Sequence, residues 1–126
     1  AEWTAAGRMT TEYIAIPSSA LVSDAIAVLR GFEGTREALA TVYLIGEGHR
    51  LVGQVPLVSI AISAPSTTLA TLAEEVVSCP SDTPDDEVAD LFDKYNLLTL
   101  AVVDEHGRIA GIITADDVIA MLRNSR

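Results

Sequence analysis

The sequence predicts an α/β (α+β) fold of two β-α-β-β-α repeats packed about a pseudo-twofold axis. The first observation behind this is self-similarity. Residues 99–118 read TLAVVDEHGRIAGIITADDV and residues 41–60 read TVYLIGEGHRLVGQVPLVSI. Gly53 aligns with Gly111, Arg50 with Arg108, Ile45 with Val103 and Thr41 with Thr99, at a constant offset of 58 residues, the distance from Gly53 to Gly111. A shared period of that size marks two copies of one supersecondary unit. The second observation is local order. Each copy shows an apolar run, a turn, a second apolar run and a helix start. The third is size. A chain of 126 residues, 49% hydrophobic, is one ordinary domain with enough apolar surface for two half-domains to bury each other.

The elements follow in order. Residues 1–9, with Trp3 and Met9, read as a short lead-in helix or linker, and Tyr13–Ile16 as a strand ended by Pro17. Ser18 or Ser19 is placed to cap a helix carrying Val22, Ala25, Ile26 and Leu29 at helical spacing, and Gly31 and Gly34 break it. Thr35–Ala40 adds a helical turn. Thr41–Ile45 is a buried strand, Gly46–His49 a hairpin turn and Arg50–Val55 the returning strand. Leu57–Ile62 is a short helix, with Pro56 suited to its first turn and Pro65 as its stop. Residues 64–75 link the copies, with Leu69 and Leu72 facing inward.

In the second copy Val76–Cys79 is a strand ended by Pro80, and Thr83-Pro84 reads as a cap followed by proline. Val88, Leu91, Phe92 and Tyr95 make one apolar stripe, opposite Asp85, Asp86, Glu87, Asp90 and Asp93. Leu100–Val103 and Arg108–Ile113 form a hairpin around Gly107, which supplies the positive φ of a tight turn. The last helix runs Ala115–Leu122. Thr114 is its N-cap, and Asp117 lies three residues on, as in a capping box. The copies divide the chain into residues 1–63 and 64–126. The first is five residues longer between its helix and second strand, since Val88 aligns with Ala25 at offset 63. Val42, Leu44, Val102, Ile112 and Leu91 are expected in one shared core.

Charge narrows the function. The net charge is −10, and residues 64–126 carry twelve acids against four bases. Such a surface repels nucleic acid and anionic membrane, so no nucleic-acid partner is expected. It attracts divalent cations, or it is a solvated face. Eight acids and no base lie between Glu74 and Asp93. The longest apolar run, Leu97–Val103, is far too short to span a bilayer. No signal peptide is visible, and a start at Ala1 reads as a piece of a longer protein. Cys79 stands alone, in keeping with a cytosolic setting. His49 and His106 both fall in hairpin turns, without a Ser, Cys or second His at sensible spacing, so no catalytic residues and no enzyme activity are assigned.

The order of elements, the lead-in MTTEY (Met9–Tyr13), the hairpin DEHGRIAGIIT and the T-x-x-D helix start resemble a tandem pair of cystathionine-β-synthase (CBS) domains, a Bateman module. AGRMTTEYIAI, DKYNLLTLAVVDEHGRIAGIITADDV and the long first helix-to-strand connection are more narrowly similar to the cytosolic CBS region of MgtE-type magnesium transporters. The resemblance implies a regulatory module that senses Mg²⁺ on the cytoplasmic face of the membrane, joined to a transmembrane domain. The alternative is an AMP- or ATP-binding regulatory module of a cytosolic enzyme or stand-alone protein.

The resemblance also implies sites. It assigns nucleotide to Thr114, Asp117 and Val77, and metal to Asp117, Asp116 and Asn96. Bottom-up, a helix N-terminus suits a phosphate, a carboxylate can hold a ribose diol, and Gly111 leaves room for close approach. The same Thr114 and Asp117 equally form a cap and nothing more. Pro56 and Ser59 stand where Thr114 and Asp117 stand, so the first copy lacks the hydroxyl and the carboxylate. CBS helices usually pair in a homodimer, and Ile60, Ile62, Ile119 and Leu122 supply the apolar residues for such a face.

Overall fold

The computed structural model describes residues 3–124. Two three-stranded sheets carry the fold. One holds β1 (Ala15–Pro17), β2 (Thr41–Ile45) and β3 (Leu51–Pro56), and the other β4 (Ser78–Pro80), β5 (Thr99–Val103) and β6 (Ile109–Thr114). In each sheet the middle strand runs parallel to the first and antiparallel to the third. Both antiparallel pairs shift register at equivalent points, between Leu44 and Ile45 and between Val102 and Val103. The helices are α1 (Ala5–Arg8), α2 (Val22–Arg30), α3 (Leu57–Ile62), α4 (Leu69–Leu72), α5 (Asp85–Tyr95) and α6 (Ala115–Asn124). Short 3₁₀ turns cover Arg36–Ala40 and Glu47–His49. The expected lead-in helix is α1; Ala1 and Glu2 lie outside the described residues.

Several local expectations are corrected. The first strands lie further along than Tyr13–Ile16 and Val76–Cys79, and each includes its proline. Both are edge strands, where the missing N–H of proline costs no ladder bond. Neither Ser18 nor Ser19 caps α2. Leu21 is its N-cap residue, and the Leu21 N–H donates to Asp24 Oδ2 at 2.9 Å. Pro84, not Thr83, sits at the N-cap of α5, and the Thr83 hydroxyl donates back to the Pro80 carbonyl at 2.7 Å.

The core is three clusters rather than one. Val42 and Leu44 pack with Ile16, Val22, Val55 and Leu69 in the first repeat. Val102 packs with Leu100, Val88, Phe92 and Ile113 in the second, and Leu91 is only partly buried beside them. Ile112 belongs to a third cluster with Tyr43, Ala101 and Ala38, between the two sheets. The cause is the period of two along each strand. In β2, Val42 and Leu44 face their own helices while Tyr43 faces the other sheet, and in β5 Leu100 and Val102 alternate with Ala101 in the same way. Tyr43 is fully buried, and its hydroxyl lies 2.6 Å from Thr99 Oγ1, so the interface between repeats has a polar pin at its centre.

The pseudo-twofold relation is written in isolated bridges. Arg50 pairs with Arg108, its own counterpart in the repeat, so the axis runs between these two residues. Thr10 pairs with Ile112, and Glu74 with Gln54; Thr4 pairs with Pro84, and Thr68 with Leu21. Each lead-in segment therefore lies on the other repeat. Residues 4–10 dress β6 and the start of α5, and residues 67–74 dress β3 and the start of α2. The Thr10 N–H donates to the Ile112 carbonyl at 2.8 Å, and the Thr10 carbonyl accepts the Ile112 N–H at 3.0 Å, while Gln54 and Glu74 exchange bonds at 3.2 and 2.8 Å. Arg8 adds an ion pair to Asp85 at 3.1 Å, with its guanidinium 4.5 Å from the Trp3 ring centre.

Gly111 takes its meaning from this exchange. A Cβ there would stand 2.7 Å from Met9 Sδ and 2.8 Å from the Thr10 carbonyl oxygen. The space expected for a ligand is filled by the lead-in backbone. Gly53 repeats the device more loosely, its nearest neighbour being Ala73 Cβ at 3.3 Å.

The difference between the two glycines is testable. Gly111→Ala must push Met9 and Thr10 off β6 and should cost about 1–3 kcal/mol. Gly53→Ala should cost less, under about 1 kcal/mol. Urea titration of both variants checks the order, and equal losses would contradict it. A further prediction concerns alkali. Burial, only partly offset by the bond with Thr99, pushes the Tyr43 phenol up to about 12 from an ordinary 10.0. A phenol raised in the folded state contributes stability that is whole below pH 10 and is lost as pH climbs toward 12. Tyr43→Phe should lose about 1 kcal/mol at pH 7 through the missing bond. It should also show a shallower fall in stability between pH 10 and 12, as read by denaturation at each pH.

Candidate functional site

Strand β6 passes directly into α6, and the junction builds the site. Thr114 closes the ladder opposite Thr99, so its side chain is fixed by the sheet. Ala115 donates its N–H to the Leu98 carbonyl at 2.9 Å. The Thr114 hydroxyl donates to Asp117 Oδ2 at 3.0 Å and accepts from the Asp117 N–H at 3.4 Å. The cap read from the three-residue spacing is formed, and it orients the Asp117 carboxylate by a side-chain bond.

A cavity of about 440 Å³ opens beside this junction. It is lined by Thr10, Glu12, Thr35, Arg36, Glu37, Thr114, Asp116 and Asp117. Three segments meet there: the lead-in, the 3₁₀ turn at 36–40 and the start of α6. The Asp116 N–H donates to Glu37 Oε1 at 3.0 Å, a contact between residues 79 positions apart. Burial first, and then the neighbouring Asp116, pushes the Glu37 carboxyl up from its ordinary value.

The structure brings Thr114, Asp116 and Asp117 together. It does not bring Val77 or Asn96 to the lining. Val77 packs against the core of the second repeat. Asn96 ends α5 in the left-handed conformation, φ 52°, where asparagine is a natural helix terminator. Among the described residues no three His, Cys, Asp or Glu side chains converge as metal ligands. Sequence reading missed Glu37, Glu12, Arg36, Thr10 and Thr35. The five-residue excess of the first copy was the available signal, since it is the segment that delivers Glu37.

The counterpart helix start in the first repeat is built differently. At the start of α3, Pro56 is the N-cap residue and makes no side-chain cap bond. The histidines lie apart from the site. His106 Nε2 is 3.3 Å from Glu105 Oε1 on an exposed turn, and His49 takes a positive φ of 62° in the other. Gly48, Arg50, Glu105, His106, Gly107 and Arg108 line a shallow cleft where the two turns meet.

Comparison with known proteins agrees with this architecture. The family model for the CBS domain matches residues 65–124. The chain is 36% identical over 119 residues to the magnesium transporter MgtE of Thermus thermophilus, and 34% identical over 116 residues to that of Bacillus subtilis. These alignments take in 94% and 90% of this chain but 26% of each relative, so the chain spans about a quarter of their length. Among solved structures, the cytosolic domain of the Mg²⁺ channel MgtE in complex with ATP superposes with a TM-score of 0.87 at 34% identity, over 94% of this chain and 48% of that one. A CBS domain pair in complex with 5′-methylthioadenosine and S-adenosyl-L-methionine covers the whole of both chains with a TM-score of 0.79 at 22% identity, which speaks for the fold alone. The chain is a tandem pair of CBS domains and belongs to that family. Within it, the chain resembles the cytosolic CBS region of MgtE-type magnesium transporters. No helix among the described residues is long and apolar enough to cross a membrane.

Proposed function

We propose that this chain is the regulatory module of an MgtE-type magnesium transporter, with residues 1–63 and 64–126 as its two repeats, set on the cytoplasmic face of the membrane. The observation that carries the reading is the 36% identity to MgtE sustained across 94% of the chain. The module has no chemistry to perform; its task is to change its fit to neighbouring domains. Eight acids between Glu74 and Asp93, with Asp116 and Asp117, make the second repeat acidic enough to repel another acidic surface. Mg²⁺ keeps most of its waters and needs few carboxylates, so it bridges two such surfaces where neither alone suffices. Its leverage is limited to the difference in its affinity for the bridged and open states.

A second reading rests on the cavity. Thr114 and Asp117 stand on its wall at a helix N-terminus, and the MgtE cytosolic domain has been solved with ATP. Adenine nucleotide, AMP or ATP, is the ligand class of this reading: the Thr114 hydroxyl for a phosphate and the Asp117 carboxylate for the ribose diol.

Thermal shift separates the two. A ligand of the native state raises the melting temperature. AMP or ATP should raise it in the chain as it stands, and Asp117→Asn should abolish the rise while the fold persists, since asparagine retains a capping oxygen. Mg²⁺ alone should raise it little, because the neighbouring domain is missing. In the full transporter, replacing Asp116 and Asp117 by Asn should blunt the Mg²⁺-driven conformational change. A full protein that responds identically without those carboxylates would remove them from the metal reading.

Assembly as a homodimer belongs to the same proposal. Val58 and Ile62 on α3 and Ile119 on α6 are 64%, 81% and 50% exposed, on helices that are counterparts in the repeat. Ile60, expected on that face, is instead buried in the first-repeat core. A second copy would cover these side chains. Light scattering should give twice the 13.3 kDa chain mass, and Ile62→Asp combined with Ile119→Asp should return it to the single value.

A further inference from the structure

The two hairpin turns meet on the pseudo-twofold axis, beside the start of β6 and away from its Thr114 end. The bridge there pairs Arg50 with Arg108, and the Leu51 N–H donates to the Gly107 carbonyl at 3.0 Å, so the backbone holds two arginines side by side. Like charges opposed across paired strands are destabilising. The Arg50 side chain lies over the opposite turn: a Cβ at Gly107 would stand 3.7 Å from both its Nε and its Nη2. Arg108 is partly neutralised, its Nε donating to Asp104 Oδ2 at 2.9 Å. Asp104 is fully engaged, since its Oδ1 also accepts the His106 and Arg108 N–H groups at 2.8 and 3.0 Å. Among the described residues nothing forms an ion pair with Arg50. The chain has eighteen acids for eight bases, yet it leaves this guanidinium without a carboxylate and sets a second one beside it.

We propose that the cleft of about 720 Å³ between the turns is a docking site for an acidic polypeptide segment, which supplies the carboxylate that Arg50 lacks. The planar guanidinium fork matches a carboxylate in a paired, directional contact. The lining favours polypeptide over a polyphosphate or a nucleic acid. Glu105 stands on the rim beside the arginines. A peptide brings N–H donors for Glu105 together with its carboxylates, whereas a polyphosphate brings acceptors alone. Among the described residues no aromatic side chain lines the cleft to stack a base. The net charge of −10 repels an acidic segment from most of the chain, so the cleft also fixes where such a segment settles. The site is separate from the Thr114 cavity and independent of the nucleotide reading.

Titration of the isotope-labelled chain with hexaglutamate at low ionic strength, followed by NMR, tests this. The amides of Gly48, Arg50, Gly107 and Arg108 should shift, and salt at about 0.5 M should abolish the binding. Arg50→Ala should weaken it about fivefold, the upper range for one exposed ion pair. Arg50→Lys, which keeps the charge without the fork, should lose less. Arg30→Ala removes an exposed arginine at the far end of α2 and should change nothing. Equal losses in Arg30→Ala and Arg50→Ala would show general attraction without a site and overturn the proposal. Shifts confined to other parts of the chain, or no binding at all, would overturn it as well. Sodium tripolyphosphate shifting the same four amides while hexaglutamate is inert would make this an inorganic-anion site and overturn the polypeptide assignment.

Discussion

The reciprocal crossing of the two lead-in segments is the constraint on which the rest of the structure depends. Residues 4–10 are held by β6 and α5, and residues 67–74 by β3 and α2, through the backbone pairs at Thr10–Ile112 and Glu74–Gln54. The pair on β6 needs a glycine beside it, Gly111, because a side chain would occupy the space of the incoming backbone, and Gly53 repeats the arrangement more loosely on β3. The first repeat is thereby completed by chain that belongs in order to the second, and the reverse. Neither half buries its sheet edge alone. The small interface cluster of Tyr43, Ala101, Ile112 and Ala38 would be modest glue by itself, but the crossing segments close it on both sides.

This explains which parts of the fold could be read directly. The 58-residue offset, the hairpins and the order of elements were all legible, because a repeat leaves the same residues at the same spacing. The partition of the core was not. Val42, Tyr43 and Leu44 are all apolar, as are Leu100, Ala101 and Val102, so no polar alternation marks which side chain faces the helices and which the other sheet. Sheets covered on both faces erase the signal that would separate three clusters from one. Gly111 was noticed for the right property, the lack of a side chain, and matched to the wrong occupant. A ligand and a neighbouring backbone demand the same absence, and only the Thr10 bridge tells them apart. The first strands were placed too early because proline was taken as a stop, when at a sheet edge it can be the last paired residue.

The site divides in the same way. Thr114 and Asp117 were legible because three residues on a helix start is a local relation with a physical meaning. Asp116 came with them as a neighbour. Glu37 is bonded to a residue 79 positions away, and no local pattern announces such a contact. Val77 and Asn96 came from likeness to relatives rather than from geometry. The first is packed in a core, and the second serves to end α5 in a conformation asparagine tolerates.

The two repeats keep their symmetry where packing requires it and lose it where ligand chemistry would sit. Glycines, register shifts and bridging pairs match across the axis. At the helix starts they part. Pro56 opens α3 without a side-chain cap, whereas Thr114 and Asp117 open α6 with one. The extra residues of the first repeat then cross to the second and place a carboxylate on its helix start. A charged side chain in a cavity already holding Asp116, Asp117 and Glu12 adds repulsion to whatever cap it provides. Burial and the Asp116 side chain raise its carboxyl, while hydrogen bonds from the Asp116 and Ala115 backbones act in the opposite direction. The asymmetry therefore concentrates in one cavity Thr114, Asp116 and Asp117 of the second repeat and Glu37 of the first.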